Sequence, residues 1–322
     1  MSSAPLAGRL DGLLFFPVTA YGEDGAVDLD AFRAHVRSGI DAGAAAVFAC
    51  CGTGEFHALG PEEFGAVVAA AVEAAAGRVP VIAGAGYGTA LAVRFAKIAE
   101  EAGADGLLAM PPYLVLAGQE GLLRHYSALA AATSLDIIVY QRDNAVFTPE
   151  TVVALAQVDG IIGLKDGHGD LDLMQRIISA VRSDLPGRDF LYFNGLPTAE
   201  LTALAYRAIG VTLYSSAVFC FAPDIALTFY RALRGGDDAT ANRLLDAFYR
   251  PLVELRNQGR GYAVSLIKAG VRLGGLDVGE VRPPLGEPTA EHLEQLTAIV
   301  ARGRAVVADV AGRAAAGTED AA

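Results

Sequence analysis

The sequence predicts an α/β protein built as a (β/α)8 TIM barrel with a C-terminal helical extension. Three observations carry this expectation. Eight short apolar runs alternate with longer amphipathic stretches. The runs have the length and continuous apolar character of parallel strands buried on both faces. The eighth unit closes near Gly235, close to the ~250 residues typical of that barrel. A doubly wound open sheet also alternates, but it seldom runs through eight regular units, so the closed barrel is preferred.

The predicted strands are 13–19, 45–50, 79–83, 106–110, 136–140, 160–165, 190–194 and 211–215. Helical patterns fall at 29–42, 61–76, 90–102, 119–132, 148–157, 171–182, 198–209 and 222–233. Pro61-Glu62-Glu63 and Thr148-Pro149-Glu150 are start signals, with proline at the first helical position and acid in the first turn. A catalytic barrel is therefore expected over 1–235 and a helical extension over 236–310. The extension carries helical patterns at 239–255, 262–273 and 289–309, broken by an extended linker at 281–285. The small, polar stretch 311–322 reads as a disordered tail.

Composition narrows the function classes. The chain has 322 residues and is 53% hydrophobic, enough to bury a large core. A net charge of −12 offers no basic stripe for displacing phosphate counterions, so nucleic acid is not an expected partner. Cys50, Cys51 and Cys220 have the spacing of neither a disulfide framework nor a zinc site, and a cytoplasmic location is expected. Residues 1–10 lack an apolar core behind a basic start, so no signal peptide is expected. No run of 18 apolar residues occurs, so no membrane partner is expected either.

In such a barrel the chemistry lies at the carboxyl ends of the strands. Lys165 closes the apolar run 160–164, ahead of the turn-prone Asp166-Gly167-His168-Gly169. A half-buried ammonium is disfavoured against the free amine, and the free amine is what attacks a carbonyl. The plain alternative is a lysine that buries its stem and lets its head reach solvent or Asp166. Tyr140 ends the preceding strand, so its phenol is placed to shuttle protons beside Lys165; alternatively it is a core tyrosine with its hydroxyl at the rim.

Gly52, Thr53 and Gly54 form a cradle of amides and a hydroxyl suited to a carboxylate, or else a plain tight turn. Arg142 and Asn144 follow Tyr140 on one loop, and an arginine fork fits a carboxylate, although many loop arginines only meet solvent. Gly195 ends the seventh strand; Ser215 and Ser216 end the eighth and can equally bond their own backbone. Glu55, His57, Asp166 and His168 are the candidate metal ligands. They come from separate loops without His-x-x-x-His spacing, so no metal is expected. Gly84-Ala85-Gly86 fails the dinucleotide spacing at Thr89, which rejects a nicotinamide cofactor. His35, His125 and His292 lie on helical patterns and are expected at the surface.

Taken together, Phe16-Pro17-Val18-Thr19, Gly52-Thr53-Gly54-Glu55, Gln119-Glu120-Gly121-Leu122, Tyr140 and Gly163-Leu164-Lys165-Asp166 resemble the dihydrodipicolinate synthase and N-acetylneuraminate lyase superfamily of Schiff-base barrels. The likeness runs from about Gly12 to Arg302. Within it, Pro111-Pro112-Tyr113-Leu114, Arg142-Asp143-Asn144-Ala145-Val146, Gly195-Leu196-Pro197-Thr198-Ala199-Glu200 and Tyr214-Ser215-Ser216-Ala217-Val218-Phe219 are most similar to the 5-dehydro-4-deoxyglucarate dehydratase branch.

The resemblance implies decarboxylating dehydration of a small sugar acid by a homo-oligomer, a tetramer as a dimer of dimers. Lys165 is then the imine-forming residue and Tyr140 its acid–base partner. Gly52, Thr53 and Gly54 hold the near carboxylate. Arg142, Asn144, Gly195, Ser215 and Ser216 are the further substrate-binding candidates, and no cofactor is needed. Departures from the pattern are Gly52 in place of a second hydroxyl residue, Leu114 in place of the synthases' second tyrosine, Cys51 in place of glycine and Gln141 in place of asparagine, the last two expected near the pocket. The alternatives are a Schiff-base 2-oxo acid aldolase, a metal-dependent aldolase and a non-catalytic sugar-acid-binding barrel.

Overall fold

A computed structural model describes residues 5–319. Eight parallel strands close into a barrel in sequence order: β1 (Leu14–Phe15), β2 (Ala46–Ala49), β3 (Val81–Ala85), β4 (Gly106–Ala109), β5 (Asp136–Gln141), β6 (Ile161–Asp166), β7 (Leu191–Asn194) and β8 (Leu213–Ser216). β1 is far shorter than the sequence suggests. Pro17 has no N–H to give to a ladder, so pairing stops at Phe15.

Alternation along each strand sends one set of side chains into the lumen and the other towards the helices. Leu14, Phe16, Phe48, Ile82, Leu108, Ile138, Tyr140, Phe193 and Leu213 form the lumen cluster, and Leu6 and Leu10 of the N-terminal segment join it. Leu6 sits over the start of β4, where a Cβ on Gly106 would meet its Cδ2 at 2.5 Å. The N-terminal helix (Leu6–Arg9) thus plugs the end of the barrel opposite the strands' carboxyl ends.

The helices start where their caps dictate. Asp28 caps Leu29–Asp41, Thr148 caps Pro149–Ala156 and Asp170 caps Leu171–Asp184, each through a side-chain oxygen on a first-turn amide. Two expected helices are broken. Residues 198–209 divide into a 3-10 turn (Ala199–Thr202) and a helix (Ala203–Ala208). Residues 239–255 divide into Asp238–Leu244, a π-turn at Leu245–Tyr249 and Arg250–Arg256; Pro251 can neither donate to nor fit against the carbonyl a turn earlier, and the ladder widens there.

The last helix runs Ala290–Glu319, through much of the segment expected as a tail; residues 320–322 lie outside the described residues. No described helix is long and apolar enough to cross a membrane.

The histidine expectation is corrected. His35 and His125 are buried, because each lies on the apolar face of its helix beside Phe32 and Val36 or Leu122 and Tyr126. His35 meets the Phe15 ring edge-on at 5.2 Å, and burial pushes its pKa down to about 4. His125 shares a hydrogen bond of 2.8 Å with the Thr89 hydroxyl. His292 is half-buried and its Nδ1 lies 2.8 Å from the Tyr262 hydroxyl.

Candidate active site

Tyr140 and Lys165 are direct register partners on β5 and β6, so their side chains leave the sheet side by side into the mouth of the lumen. Lys165 Nζ lies 4.1 Å from the centroid of the Tyr140 ring and 4.9 Å from that of Phe16. Both residues are buried. The Tyr140 hydroxyl donates to the Gly195 carbonyl at 3.0 Å. Two glycines leave room for this pair. A Cβ on Gly195 would meet Lys165 Cγ at 2.6 Å, and one on Gly167 would meet the Tyr140 ring at 2.7 Å.

These side chains open into a cavity of about 240 Å³, below the ~300 Å³ at which drug-sized sites begin and suited to a small metabolite. Of the residues expected in the site, Lys165, Tyr140, Gly52, Thr53, Arg142, Gly195 and Ser215 line it. The structure does not bring the other three to its wall. Gly54 is packed behind the rim against Pro17 and the Cys50 backbone, and its carbonyl accepts from the Thr19 hydroxyl at 2.6 Å. Asn144 is turned to the preceding loop, where its amide donates to the carbonyls of Pro112 and Val115 at 2.7 and 2.6 Å. Ser216 faces away, donating to buried Glu200 at 2.6 Å, because it alternates with the inward Ser215.

The two departures also separate. Cys51 lines the cavity; burial, opposed by Lys165, pushes its thiol up to about 12, which keeps it neutral. Gln141 points out of the lumen, as its alternation with Tyr140 requires, and donates to Asp166 at 2.8 Å. Asp166 also accepts from the Tyr206 hydroxyl and the His168 amide. Both carboxylates considered as metal ligands are therefore held by protein donors, since Glu55 accepts from Lys268 and from the Arg282 amide. Among the described residues no cluster of three or more His, Cys, Asp or Glu is arranged to hold a metal ion.

What the sequence reading missed is the contribution of the C-terminal extension. Leu252, Arg256, Tyr262, Leu266 and Ile267 form one wall of the cavity. The amphipathic pattern of 262–273 indicated a buried face without indicating what it would cover. The lining carries three cationic residues, Lys165, Arg142 and Arg256, and among the described residues no aspartate, glutamate or histidine. In a chain of net charge −12 this is a local reversal of sign, and it selects anions. Burial works against the charge of Arg142, but Tyr140 and Asp143 outweigh it and hold its pKa above the ordinary value. Arg256 has no such acid, and burial lowers its pKa.

Comparison with known proteins agrees with this geometry. The family model described as the dihydrodipicolinate synthetase family matches residues 9–302. A protein of Streptomyces griseus named probable 5-dehydro-4-deoxyglucarate dehydratase is 78% identical, with 96% of this chain and 98% of that protein covered. One of Rhizobium rhizogenes with the same name is 49% identical, covering 91% and 96%. Among solved structures, dihydrodipicolinate synthase from Bacillus clausii superposes with a TM-score of 0.84 at 26% identity, covering 92% of this chain and 99% of that one. With the barrel, the buried lysine on β6 and the matched length in agreement, this chain belongs to the dihydrodipicolinate synthetase family.

Proposed function

We propose that this enzyme is a decarboxylating dehydratase that converts 5-dehydro-4-deoxy-D-glucarate to 2,5-dioxopentanoate, CO2 and water through a Schiff base on Lys165. The observation that carries the reading is the cavity's charge: two arginines beside Lys165 and, among the described residues, no acid in the lining. That balance fits a small dianion bearing a ketone. The names of the close relatives support the same substrate.

The near carboxylate docks on Gly52 and Thr53, which line the cavity, with open space where a Cβ on Gly52 would stand. Lys165 Nζ attacks C5, and loss of water from the carbinolamine gives the imine, an electron sink. A proton then leaves C4 and hydroxide leaves C3 as water, giving a conjugated imine. Loss of CO2 from C1 sends its electron pair along the chain to the imine nitrogen. Reprotonation and hydrolysis release the aldehyde product and return the lysine. Tyr140 is the acid–base group for these transfers, its ring centroid lying 4.1 Å from Lys165 Nζ. The imine supplies the electron sink, so the reaction needs no cofactor.

The working form is proposed to be a cytosolic homo-oligomer, a tetramer of paired dimers. The three described cysteines are buried and free, and the loop Tyr113, Leu114, Val115 and Leu116 presents exposed apolar side chains of the kind that mark contact surfaces.

Borohydride reduction in the presence of the sugar acid, with peptide mass spectrometry and CO2 measurement, tests the reading. A reduced adduct on Lys165 together with CO2 supports it. An adduct with release of pyruvate in place of CO2 makes the chain an aldolase. Turnover retained by Lys165→Ala removes the Schiff base.

A further inference from the structure

We infer that Arg256, supplied by the C-terminal extension, binds the distal carboxylate of the substrate and makes the enzyme selective for 2-oxo diacids over 2-oxo monoacids. This deepens the function proposed above and rests on its Schiff-base reading.

Of the two arginines in the lining, Arg142 already has an acid beside it: its Nε lies 3.1 Å from Asp143. Arg256 has only neutral partners. Its Nη1 donates to the Pro197 carbonyl at 3.0 Å and the Thr198 hydroxyl at 2.9 Å, and its Nε and Nη2 face the Asn257 amide oxygen at 3.4 and 3.3 Å. Among the described residues no carboxylate pairs with it. A half-buried guanidinium without a counter-charge gains most from an arriving carboxylate, and charge-assisted hydrogen bonds are the strong ones.

Its position suits the task. Gly195 abuts the Lys165 side chain, and Thr198, which Arg256 holds, lies three residues further on. Three residues span at most about 11 Å. The distal carboxylate lies four carbon–carbon bonds from the imine carbon, about 5 Å in extended form, and a guanidinium hydrogen bond adds about 3 Å. That reach of about 8 Å is of the same order as the span of at most about 11 Å from Gly195 to Thr198, and Arg256 and Lys165 line the same cavity. Thr198 has a left-handed φ of 55°; holding it in that conformation aims the same stretch of loop at the cavity.

The test uses imine trapping on the full chain, so that it does not depend on dehydration. Half-saturating concentrations for borohydride trapping are compared for 2-oxoadipate, a six-carbon 2-oxo diacid, and 2-oxohexanoate, the monoacid of equal length. The unaltered enzyme is expected to favour the diacid at least ten-fold. Arg256→Gln is expected to lose that preference while trapping 2-oxohexanoate within about three-fold of the unaltered enzyme, and Arg256→Lys to restore part of it. Equal weakening of both ligands would assign Arg256 to holding the Thr198 loop alone and overturn the inference, as would an unchanged preference. Absence of an adduct with either acid in the unaltered enzyme would instead remove the Schiff-base reading, and this inference with it.

Discussion

Glu55 and Lys268 lie 213 residues apart and meet at 3.0 Å, with neither side chain reaching solvent. The pair fastens the turn that carries Gly52 and Thr53 to the helix Tyr262–Leu273, so the cradle proposed for the near carboxylate is held from the C-terminal extension. Lys268 Nζ also lies 3.9 Å from the centroid of the Tyr21 ring, and the second oxygen of Glu55 accepts from the Arg282 amide at 2.9 Å. Burial outweighs the attraction of Glu55 and brings the lysine down to about 8.

Removing one member of such a pair leaves a buried charge without compensation, at a cost of about 3–5 kcal/mol. Lys268→Met is therefore expected to lower unfolding stability by that order in urea titration and to raise KM. The double variant Glu55→Gln with Lys268→Met should recover much of the stability. A single-variant loss under about 1 kcal/mol would show that the pair is not what holds the turn.

Gly195 is required by a close approach. Its φ is not left-handed, so alanine is allowed by the backbone, yet the added Cβ would lie 2.6 Å from Lys165 Cγ and 2.9 Å from Cε. The lysine must move. A displacement near 1 Å at a reacting group costs about 10²-fold, so Gly195→Ala should lower kcat by about that factor with circular dichroism and melting nearly unchanged. Trapping of the imine should slow in parallel; full-rate trapping would mean that the lysine tolerates the methyl group.

The barrel was legible because its evidence is local: strand and helix periodicities are written within each unit, and caps such as Asp28 and Thr148 sit beside the helices they start. Lys165, Tyr140, Gly52, Thr53, Arg142, Gly195 and Ser215 could be read because barrel topology puts every strand's carboxyl end at one mouth. Arg256 and Lys268 could not, since nothing near them in sequence says that their helices fold back over that mouth. Which way a strand-end side chain turns was also hidden. Ser216 and Gln141 face outward by alternation with Ser215 and Tyr140, and a one-residue uncertainty in register exchanges inner for outer.

The loop after β4 gives a prediction about assembly. Leu114 and Leu116 are 82% and 87% exposed, on a loop that Asn144 ties at the carbonyls of Pro112 and Val115. Exposed large aliphatic side chains on an anchored loop suit a surface covered in the proposed oligomer. Leu114→Glu with Leu116→Glu is expected to lower the mass measured by light scattering by at least half. An unchanged mass would place the subunit contacts elsewhere.

Glu200 gives the pH dependence. It is fully buried; one oxygen accepts from Ser216 at 2.6 Å, and the other has no hydrogen-bond partner. Burial raises its pKa from 4.5 to about 7, against the opposing hydrogen bond from Ser216. The folded chain therefore holds this proton over a range in which the unfolded chain has released it. Stability contributed by the neutral acid is full below about pH 4.5 and is lost as pH rises towards about 7, a change of about 3 kcal/mol in order of magnitude.

Glu200→Gln keeps an oxygen to accept from Ser216 and removes the titration. Its amide has candidate acceptors in the hydroxyls of Tyr214 and Tyr249, which also lack partners. The variant is accordingly expected to match the parent near pH 5 and to exceed it in stability near pH 8, with the crossover followed by urea unfolding at each pH. A constant difference across that range would show that Glu200 does not change its protonation on folding.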